Sequence, residues 1–308
     1  MKPFLRTYLM TYLKGAAMGA SDVVPGVSGG TIAFITGIYE RLINAIKSIN
    51  WSNLKLFFTG RFKECWQNID GTFLVCLFLG IATSFLSLAK LITYLIGAYP
   101  TFVWAFFFGL IVASTLLVGK KVQWNWKSVL AFALFAILSF FITSPGNAPL
   151  NQNSALWYIF LCGAVAICAM ILPGISGSFI LLLLGQYVYM MDAISRLDIV
   201  VILVFMAGAI IGLLSFANLL SWLFKHFEML TLASLAGFMF GSLNKVWPWK
   251  NTLSTYMDKH GVETPLTQQN ILPSADASLP VALLLLAFGL LLVLGLEKAS
   301  ERKNGAKA

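Results

Sequence analysis

The chain alternates long apolar stretches with short polar segments, and six of the stretches are long enough to be ordinary membrane-spanning helices. A helix rises about 1.5 Å per residue, so about 20 apolar residues cross a hydrocarbon core of about 30 Å. The pattern therefore predicts spans over about Thr72 to Gly97, Thr101 to Gly119, Lys127 to Thr143, Ile199 to Phe224, Met229 to Val246 and Leu279 to Leu296. A long polar loop, about 247–278, separates the last two.

Two further apolar stretches, about 13–49 and about 155–194, are each interrupted near the middle by a Pro-Gly loop. We interpret each as a broken, re-entrant hairpin that enters and leaves the membrane on one side. Non-helical backbone at membrane depth is tolerated only where protein or a water-filled cavity satisfies its polar groups. The two loops are therefore expected to meet inside the protein.

The two interrupted stretches resemble each other. They read PGVSGGTIAFITGIYERLINAI from Pro25 and PGISGSFILLLLGQYVYMMDAI from Pro173, an offset of 173 − 25 = 148 residues with nine of 22 positions identical. This similarity predicts an internal duplication, with a first repeat over 1–150 and a second over 151–308. Each repeat has one hairpin and three spans, and three crossings invert the second repeat. The predicted fold is an all-α integral membrane protein with an inverted-topology repeat, which is typical of transporters.

Composition and charge agree with this topology. Hydrophobic residues make up 59% of the chain and charged residues only 11%, against about 25% in soluble domains. With the N-terminus inside, sixteen of the 21 Lys and Arg residues lie on the inner side, as the positive-inside rule requires. We expect a multi-pass protein of the bacterial inner membrane with both termini cytoplasmic. A net charge of +9 would suggest nucleic acid in a soluble protein, but here the location of the charges matters more than their sum. The expected partners are membrane lipids, and no nucleic acid is expected. The segment from Trp51 to Trp66 is either an interfacial element or a solvated connector.

The Pro-Gly loops carry the candidate binding chemistry. The second half-helix of each hairpin begins near Gly30 or Ser178, where the first amides have no intrahelical partner and the helix dipole is positive. Such an end attracts phosphate or carboxylate. Hydroxyl side chains beside these amides either bind the anion or only cap the helices. The candidate substrate-binding residues of the loops are Gly26, Ser28, Gly29, Gly30, Thr31, Gly174, Ser176, Gly177 and Ser178.

Charged residues near the loops supply further candidates. Asp22 aligns with Met170 in the second repeat, and it is a candidate to couple transport to a proton or sodium ion, or else a structural cap. Glu40 is a second candidate for coupling. Arg41 either holds a phosphate or anchors the chain at the interface. Lys90, inside a predicted span, either snorkels to the surface or receives an anionic headgroup.

Enzymatic and metal chemistry have little support in the sequence. The four cysteines form no C-x-x-C pair, and the histidines are His226 and His260 alone, so no metal or other cofactor is expected. Gly26 to Gly30 matches the G-x-S-x-G pattern of serine hydrolases. Both histidines fall in predicted extramembrane segments, away from that serine. An intramembrane serine hydrolase and a small-anion channel or transporter remain as alternatives.

The strings GASDVVPGVSGGTIAFITGIYERL and MILPGISGSFILLLLGQY resemble the bacterial polyprenyl-phosphate transporter family, and the resemblance covers nearly the whole chain. It implies a translocase that returns undecaprenyl phosphate, or a related lipid phosphate, from the outer to the inner leaflet for peptidoglycan and other envelope polymers. No soluble cofactor is implied, and the oligomeric state stays open. The implied site consists of Asp22, Pro25, Gly26, Ser28, Gly29, Gly30, Thr31, Pro173, Gly174, Ser176 and Gly177.

Overall fold

The computed structural model describes residues 3–22, 28–144, 154–174, 177–257, 263–274 and 277–305, and most of them are helical. The elements in chain order are α1 (Pro3–Asp22), α2 (Gly29–Ile35), α3 (Tyr39–Lys47), α4 (Trp51–Phe58), α5 (Phe62–Asn68), α6 (Gly71–Ala98), α7 (Pro100–Lys121), α8 (Trp126–Thr143), α9 (Leu156–Ile171), α10 (Gly177–Leu183), α11 (Tyr187–Arg196), α12 (Ile199–Ser242), β1 (Lys250–Met257), β2 (Glu263–Asn270) and α13 (Ser278–Gly305).

Within these ranges, α6, α7, α8, α12 and α13 are long and apolar enough to cross a membrane. Helix α12 has 44 residues, which corresponds to about 66 Å and therefore to two crossings. Its backbone leaves the helical conformation at Phe227, where φ is −139° and ψ is 45°. The predicted spans over 199–224 and 229–246 lie on either side of this break. The chain is a multi-pass membrane protein.

The interrupted stretches contain more breaks than the sequence analysis predicts. Helices α2 and α10 have seven residues each, about 10 Å of rise, and neither can span a membrane alone. Each is followed by a glycine with φ of +69°, Gly37 in the first stretch and Gly185 in the second. Glycine adopts this left-handed conformation without steric cost, so it ends the short helix. The predicted single return half-helix is wrong, because α3 and α11 follow as separate helices. The first stretch also begins earlier than predicted, at Pro3.

The prediction of an all-α fold misses one element. Strands β1 and β2 form an antiparallel hairpin in which Lys250 lies opposite Asn270 and Met257 opposite Glu263. This hairpin occupies the polar segment at 247–278, which was expected to be a loop. Helices provide the remaining regular structure of the described ranges.

Helices α4 and α5 correspond to the segment that was predicted to be either interfacial or a solvated connector. Several of its large apolar side chains are exposed, namely Trp51, Leu54, Phe57, Phe58, Phe62 and Trp66. A connector surrounded by water would leave this apolar surface hydrated. The exposed side chains therefore favour the interfacial alternative, in which they enter the headgroup region.

The chain divides into two compact units, and each draws on both predicted repeats. Unit 1 comprises residues 1–92 and 148–231, and unit 2 comprises residues 93–147 and 232–308. In each unit, glycines bring helix backbones into direct contact. A Cβ atom at Gly15 of α1 would overlap the carbonyl oxygen of Leu77 in α6, and one at Gly109 of α7 would overlap that of Leu286 in α13. Small residues commonly allow membrane helices to approach this closely.

Candidate functional site

Unit 1 brings the two broken stretches together. The Ser28 hydroxyl donates a hydrogen bond of 3.0 Å to the carbonyl of Met170, which lies at the end of α9. In the reverse direction, the amide of Gly174 donates to the Thr31 hydroxyl oxygen at 3.0 Å. The Tyr39 hydroxyl donates to the carbonyl of Ile171 at 3.2 Å. The described residues that border the two loops therefore contact each other inside the protein.

This junction is tightly packed and removed from the surface. The exposed fraction of Ser28 is 1% and that of Thr31 is 0%, and Gly29, Gly30 and Gly174 are buried as well. A Cβ atom added at Gly30 would lie 2.5 Å from the carbonyl oxygen of Ile171. A larger residue at this position would therefore force the two breaks apart.

The first amides of α2 are already bound by the protein itself. The Asp22 carboxylate accepts a hydrogen bond from the Gly29 amide at 2.6 Å, and the Ser28 hydroxyl oxygen accepts one from the Gly30 amide at 3.1 Å. The expectation of bare amides is therefore wrong for these two groups in this conformation. An anion that binds here must first replace Asp22 at the Gly29 amide.

At the second break, the described position that aligns with Asp22 carries no acidic residue. Met170 occupies the position that aligns with Asp22, and its Cβ is 3.4 Å from the position of a Cβ added at Gly177. Gly177 itself aligns with Gly29 at the 148-residue offset. The two repeats therefore differ at this position. In the first, Asp22 caps the start of α2; in the second, the apolar Met170 lies beside the start of α10. Four candidates cannot be compared further, since Gly26 and Ser176 lie outside the described residues, as do the side chains of Ser178 and Lys90.

Arg41 is engaged by a residue that the sequence analysis missed. Its Nε is 2.6 Å from one carboxylate oxygen of Asp70 and an Nη atom is 3.1 Å from the other. The guanidinium also lies 4.3 Å from the centre of the Phe73 ring. This bidentate ion pair occupies the guanidinium N–H donors that would otherwise bind a phosphate. The geometry favours the anchoring role over the phosphate-binding role.

Glu40 faces a polar cavity at the junction of α3 and α12. The cavity has a volume of about 350 Å³ and is lined by Glu40, Ile43, Asn44, Ser221, Phe224, Lys225 and Glu228. Ser221 of α12 links the two helices, because its hydroxyl accepts a hydrogen bond from Lys47 of α3 and donates one to the Asn44 amide oxygen of α3. Within the described ranges, His, Cys, Asp and Glu side chains form no group of three or more that could hold a metal ion.

Two further residues near the breaks were missed. Lys14 in α1 donates a hydrogen bond of 2.6 Å to the carbonyl of Thr36, just after α2, where a cation complements the negative end of a helix. Gln186 is completely buried, and neither polar atom of its side chain has a hydrogen-bond partner. Tyr39 carried a signal that could have been used, because it is one of the nine positions shared by both stretches.

The long apolar helices define the chain as a polytopic membrane protein, and broken helices that contact each other occur in many membrane transporters. Residues 18–264 match the profile of the undecaprenyl phosphate translocase-like family. A polyprenyl-phosphate transporter of Vibrio cholerae is 46% identical over 303 residues, which is 96% of this chain and 98% of the relative. One of Staphylococcus aureus is 33% identical over 258 residues, or 77% and 85% of the two chains. The chain belongs to the undecaprenyl phosphate translocase-like family. No solved structure matches it.

Proposed function

We propose that this protein moves a polyprenyl phosphate, with undecaprenyl phosphate as the first candidate, from the outer to the inner leaflet of the bacterial inner membrane. The substrate class follows from the names of its relatives. The observation that carries the proposal is the buried junction, in which Ser28 and Thr31 each bond to the opposite break. A phosphate needs a polar site at membrane depth, whereas an isoprenoid tail can remain in lipid throughout.

The repeat and its inversion belong to this proposal, and glycine contacts in unit 1 support the duplication. Gly15 lies against Leu77, and Gly163 lies against Phe205 in the same manner. The offsets are 163 − 15 = 148 and 205 − 77 = 128. The reciprocal contacts, Gly80 against Tyr12 and Gly208 against Phe160, have the same two offsets.

Unit 2 continues the correspondence. Gly109 of α7 lies against Leu286, and Gly237 of α12 lies against Phe132, with 237 − 109 = 128. The offset between equivalent residues is 148 within the hairpins and 128 after them, a difference of 20 residues. The first repeat contains α4 and α5 at this point, and the second repeat passes directly from α11 to α12. We assign residues 1–150 and 151–308 to two repeats, each with a re-entrant hairpin and three crossings. Three crossings invert the second repeat and leave both termini cytoplasmic.

Asp22 acts in this proposal as a resident anion that the substrate phosphate replaces. When Asp22 takes up a proton or binds a sodium ion, its carboxylate no longer competes for the Gly29 amide. The phosphate then binds the amides of the first break, with the hydroxyls of Ser28 and Thr31 beside it. A cation enters with each phosphate, so part of the negative charge that moves against an inside-negative membrane potential is compensated.

The contacts of Ser28 do not favour the serine-hydrolase alternative. Its hydroxyl donates to a backbone carbonyl and accepts from a backbone amide, whereas a nucleophile needs a base within hydrogen-bond reach. The Nδ1 atom of His226 is 2.9 Å from the Trp222 carbonyl of its own helix, α12. The small-anion alternative predicts a smaller substrate: such a protein would transport inorganic anions in the absence of lipid phosphate.

The proposal is tested by substitutions that separate the breaks. Gly30→Leu and Ser28→Ala together should abolish translocation of undecaprenyl phosphate in proteoliposomes, measured by the accessibility of the lipid phosphate in each leaflet. The matched control is Gly97→Leu with Ser87→Ala, because a Cβ at Gly97 has no neighbour within 4 Å and Ser87 bonds within its own helix. If the folded Gly30→Leu, Ser28→Ala variant transports at the wild-type rate, the two breaks are not part of the substrate site. Transport of inorganic anions alone would support the channel alternative.

A further inference from the structure

The α4–α5 segment, residues 51–68, takes no part in the transport steps proposed for the junction. Its two helices have eight and seven residues, about 12 and 10 Å of rise, so neither crosses the membrane. In the second repeat, α11 is followed directly by α12. The segment is therefore an addition to one repeat, and its chemistry has to be explained by something other than spanning.

Side-chain hydrogen bonds fix this segment to the helices on either side of it. The Asn53 amide donates to the carbonyl of Ser48, just after α3, at 2.7 Å. The Asn68 amide donates to the Asn53 amide oxygen at 2.8 Å, which joins α5 to α4. At the other end, the Trp66 indole donates to the Thr72 hydroxyl of α6 at 2.9 Å. The protein itself thus sets the orientation of α4 and α5.

The segment presents an aromatic surface that the rest of the protein does not cover. Trp51 and Phe58 are 78% and 76% exposed. The Phe57 ring centre lies 5.9 Å from that of Phe58 and 5.0 Å from that of Phe62, so these rings form one cluster at the turn between the two helices. Removing such a surface from water is favourable, and the interfacial region of a bilayer provides the place for it.

A lysine lies beside a tryptophan in each of the two helices. Lys55 follows Trp51 by four residues, and Lys63 precedes Trp66 by three. These spacings make the two members of each pair neighbours on the helix surface. Both lysines are exposed, and within the described ranges neither forms a salt bridge. Two uncompensated positive charges therefore accompany the aromatic surface.

Charge and location together select the partner of this surface. The other charged residues of the segment, Arg61 and Glu64, pair with each other, so its net charge of +2 resides on Lys55 and Lys63. The proposed topology places the segment on the cytoplasmic side, where anionic lipids give the membrane a negative surface potential. A zwitterionic headgroup offers the aromatic side chains the same apolar contact but has no net charge for the lysines.

We propose that the α4–α5 segment is a docking surface for anionic phospholipids of the inner leaflet. Trp51, Phe58 and Trp66 enter the headgroup region, and the ammonium groups of Lys55 and Lys63 bind lipid phosphates. This inference goes beyond the proposed function, because it concerns the surrounding lipid and does not depend on the transported substrate. A basic residue near an anionic surface contributes about fivefold to binding, so the two lysines together contribute about 30-fold.

The test is photolabelling of the purified full-length protein in phosphatidylcholine nanodiscs. The probe is a small fraction of either phosphatidylglycerol or phosphatidylcholine, each with a diazirine at the same position near the headgroup, and labelled peptides are quantified by mass spectrometry. Labelling of the α4–α5 segment is divided by that of α8, whose exposed Leu130 and Leu134 report general contact with lipid. This ratio should be at least about fivefold higher for phosphatidylglycerol than for phosphatidylcholine.

Three variants separate the charge from the apolar contact. Lys55→Gln with Lys63→Gln should abolish the preference for phosphatidylglycerol and leave labelling by phosphatidylcholine unchanged, because the aromatic side chains remain. Phe58→Ser should lower labelling of the segment by both lipids and keep the preference. The matched control is Lys120→Gln with Lys121→Gln, which removes two exposed lysines at the end of α7. This control should label like the wild type.

Each other outcome contradicts a stated part of the proposal. Equal labelling of the wild-type segment by the two lipids would overturn the anionic docking surface. A preference that survives in the variant lacking both lysines would overturn their role. If neither lipid labels the segment and it crosslinks to a second copy of the chain, the surface is a protein interface and the proposal is wrong. No substrate is present in this experiment, so failure of the proposed transport function would leave its result unchanged.

Discussion

Replacing Asp22 by asparagine should change the net charge that accompanies each transported phosphate. The Asp22 carboxylate holds the Gly29 amide at 2.6 Å, so the phosphate can use this amide only when the carboxylate is neutralised. Asparagine keeps an oxygen that accepts from the amide but cannot take up a proton or attract a sodium ion. The variant should therefore still move substrate, without the compensating cation.

The expected magnitude follows from the membrane potential. Moving one additional uncompensated charge costs about 2.3 kcal/mol at about 100 mV. This free energy corresponds to about a 50-fold change in an equilibrium ratio, since about 1.4 kcal/mol corresponds to tenfold. At this inside-negative potential, the steady-state ratio of inner to outer lipid phosphate in Asp22→Asn should be about 50-fold below that of the wild type.

The assay uses proteoliposomes in which a potassium gradient with valinomycin sets the potential, and the leaflet distribution of undecaprenyl phosphate is measured at steady state. Asp192→Asn is the matched control, because this carboxylate pairs with Arg196 on an exposed surface. Its distribution should equal that of the wild type. A lipid ratio in Asp22→Asn that responds to voltage and pH like the wild type would refute the coupling role of Asp22.

Three further predictions concern other parts of the fold. Asp70→Asn should leave transport unchanged and lower the free energy of unfolding by no more than about 1 kcal/mol, because Arg41 and Asp70 form an exposed pair; a transport defect equal to that of Arg41→Gln would show that the pair has a functional role. Gly163→Leu should greatly reduce the yield of folded protein, because its side chain would meet the backbone of α12 at Phe205, whereas Gly97→Leu should not; monodispersity in detergent is the readout. Because the pKa of Lys250 is lowered to about 7 in the folded state, the unfolded state binds more protons between pH 7 and about 10.5, and the thermal stability of ligand-free protein should rise with pH in this window. Lys250→Met should flatten that rise, and an equal slope in both proteins would contradict the lowered pKa.

The spans and the contact between the two broken stretches were predictable because they follow from strong physical constraints. An apolar stretch as long as Thr101 to Gly119 is expected to be a membrane-spanning helix. Irregular backbone such as that around Ser28 needs hydrogen-bond partners inside the protein. The break of α12 at Phe227 was predictable as well, since the polar residues Lys225, His226 and Glu228 mark it in the sequence.

Other features depend on pairings between distant positions, which a single sequence does not specify. The salt bridge between Arg41 and Asp70 joins residues that are 29 apart, and nothing in the pattern of either segment indicates it. Asp22 was one of the candidates for a structural cap, but the sequence does not specify that its carboxylate reaches around the turn to the Gly29 amide. The β-hairpin was missed because its strands carry polar residues such as Thr252 and Gln268 on a segment with no apolar alternation.

The most direct test of the central claim is the fate of undecaprenyl phosphate in sealed proteoliposomes that contain the purified protein. A phosphatase added outside hydrolyses only lipid phosphate in the outer leaflet, and a trapped anion-sensitive dye reports inorganic phosphate that crosses the membrane. The account predicts that the protein makes the inner-leaflet pool accessible to the phosphatase and leaves the dye unchanged. An inner pool that stays protected, as in protein-free vesicles, would contradict it.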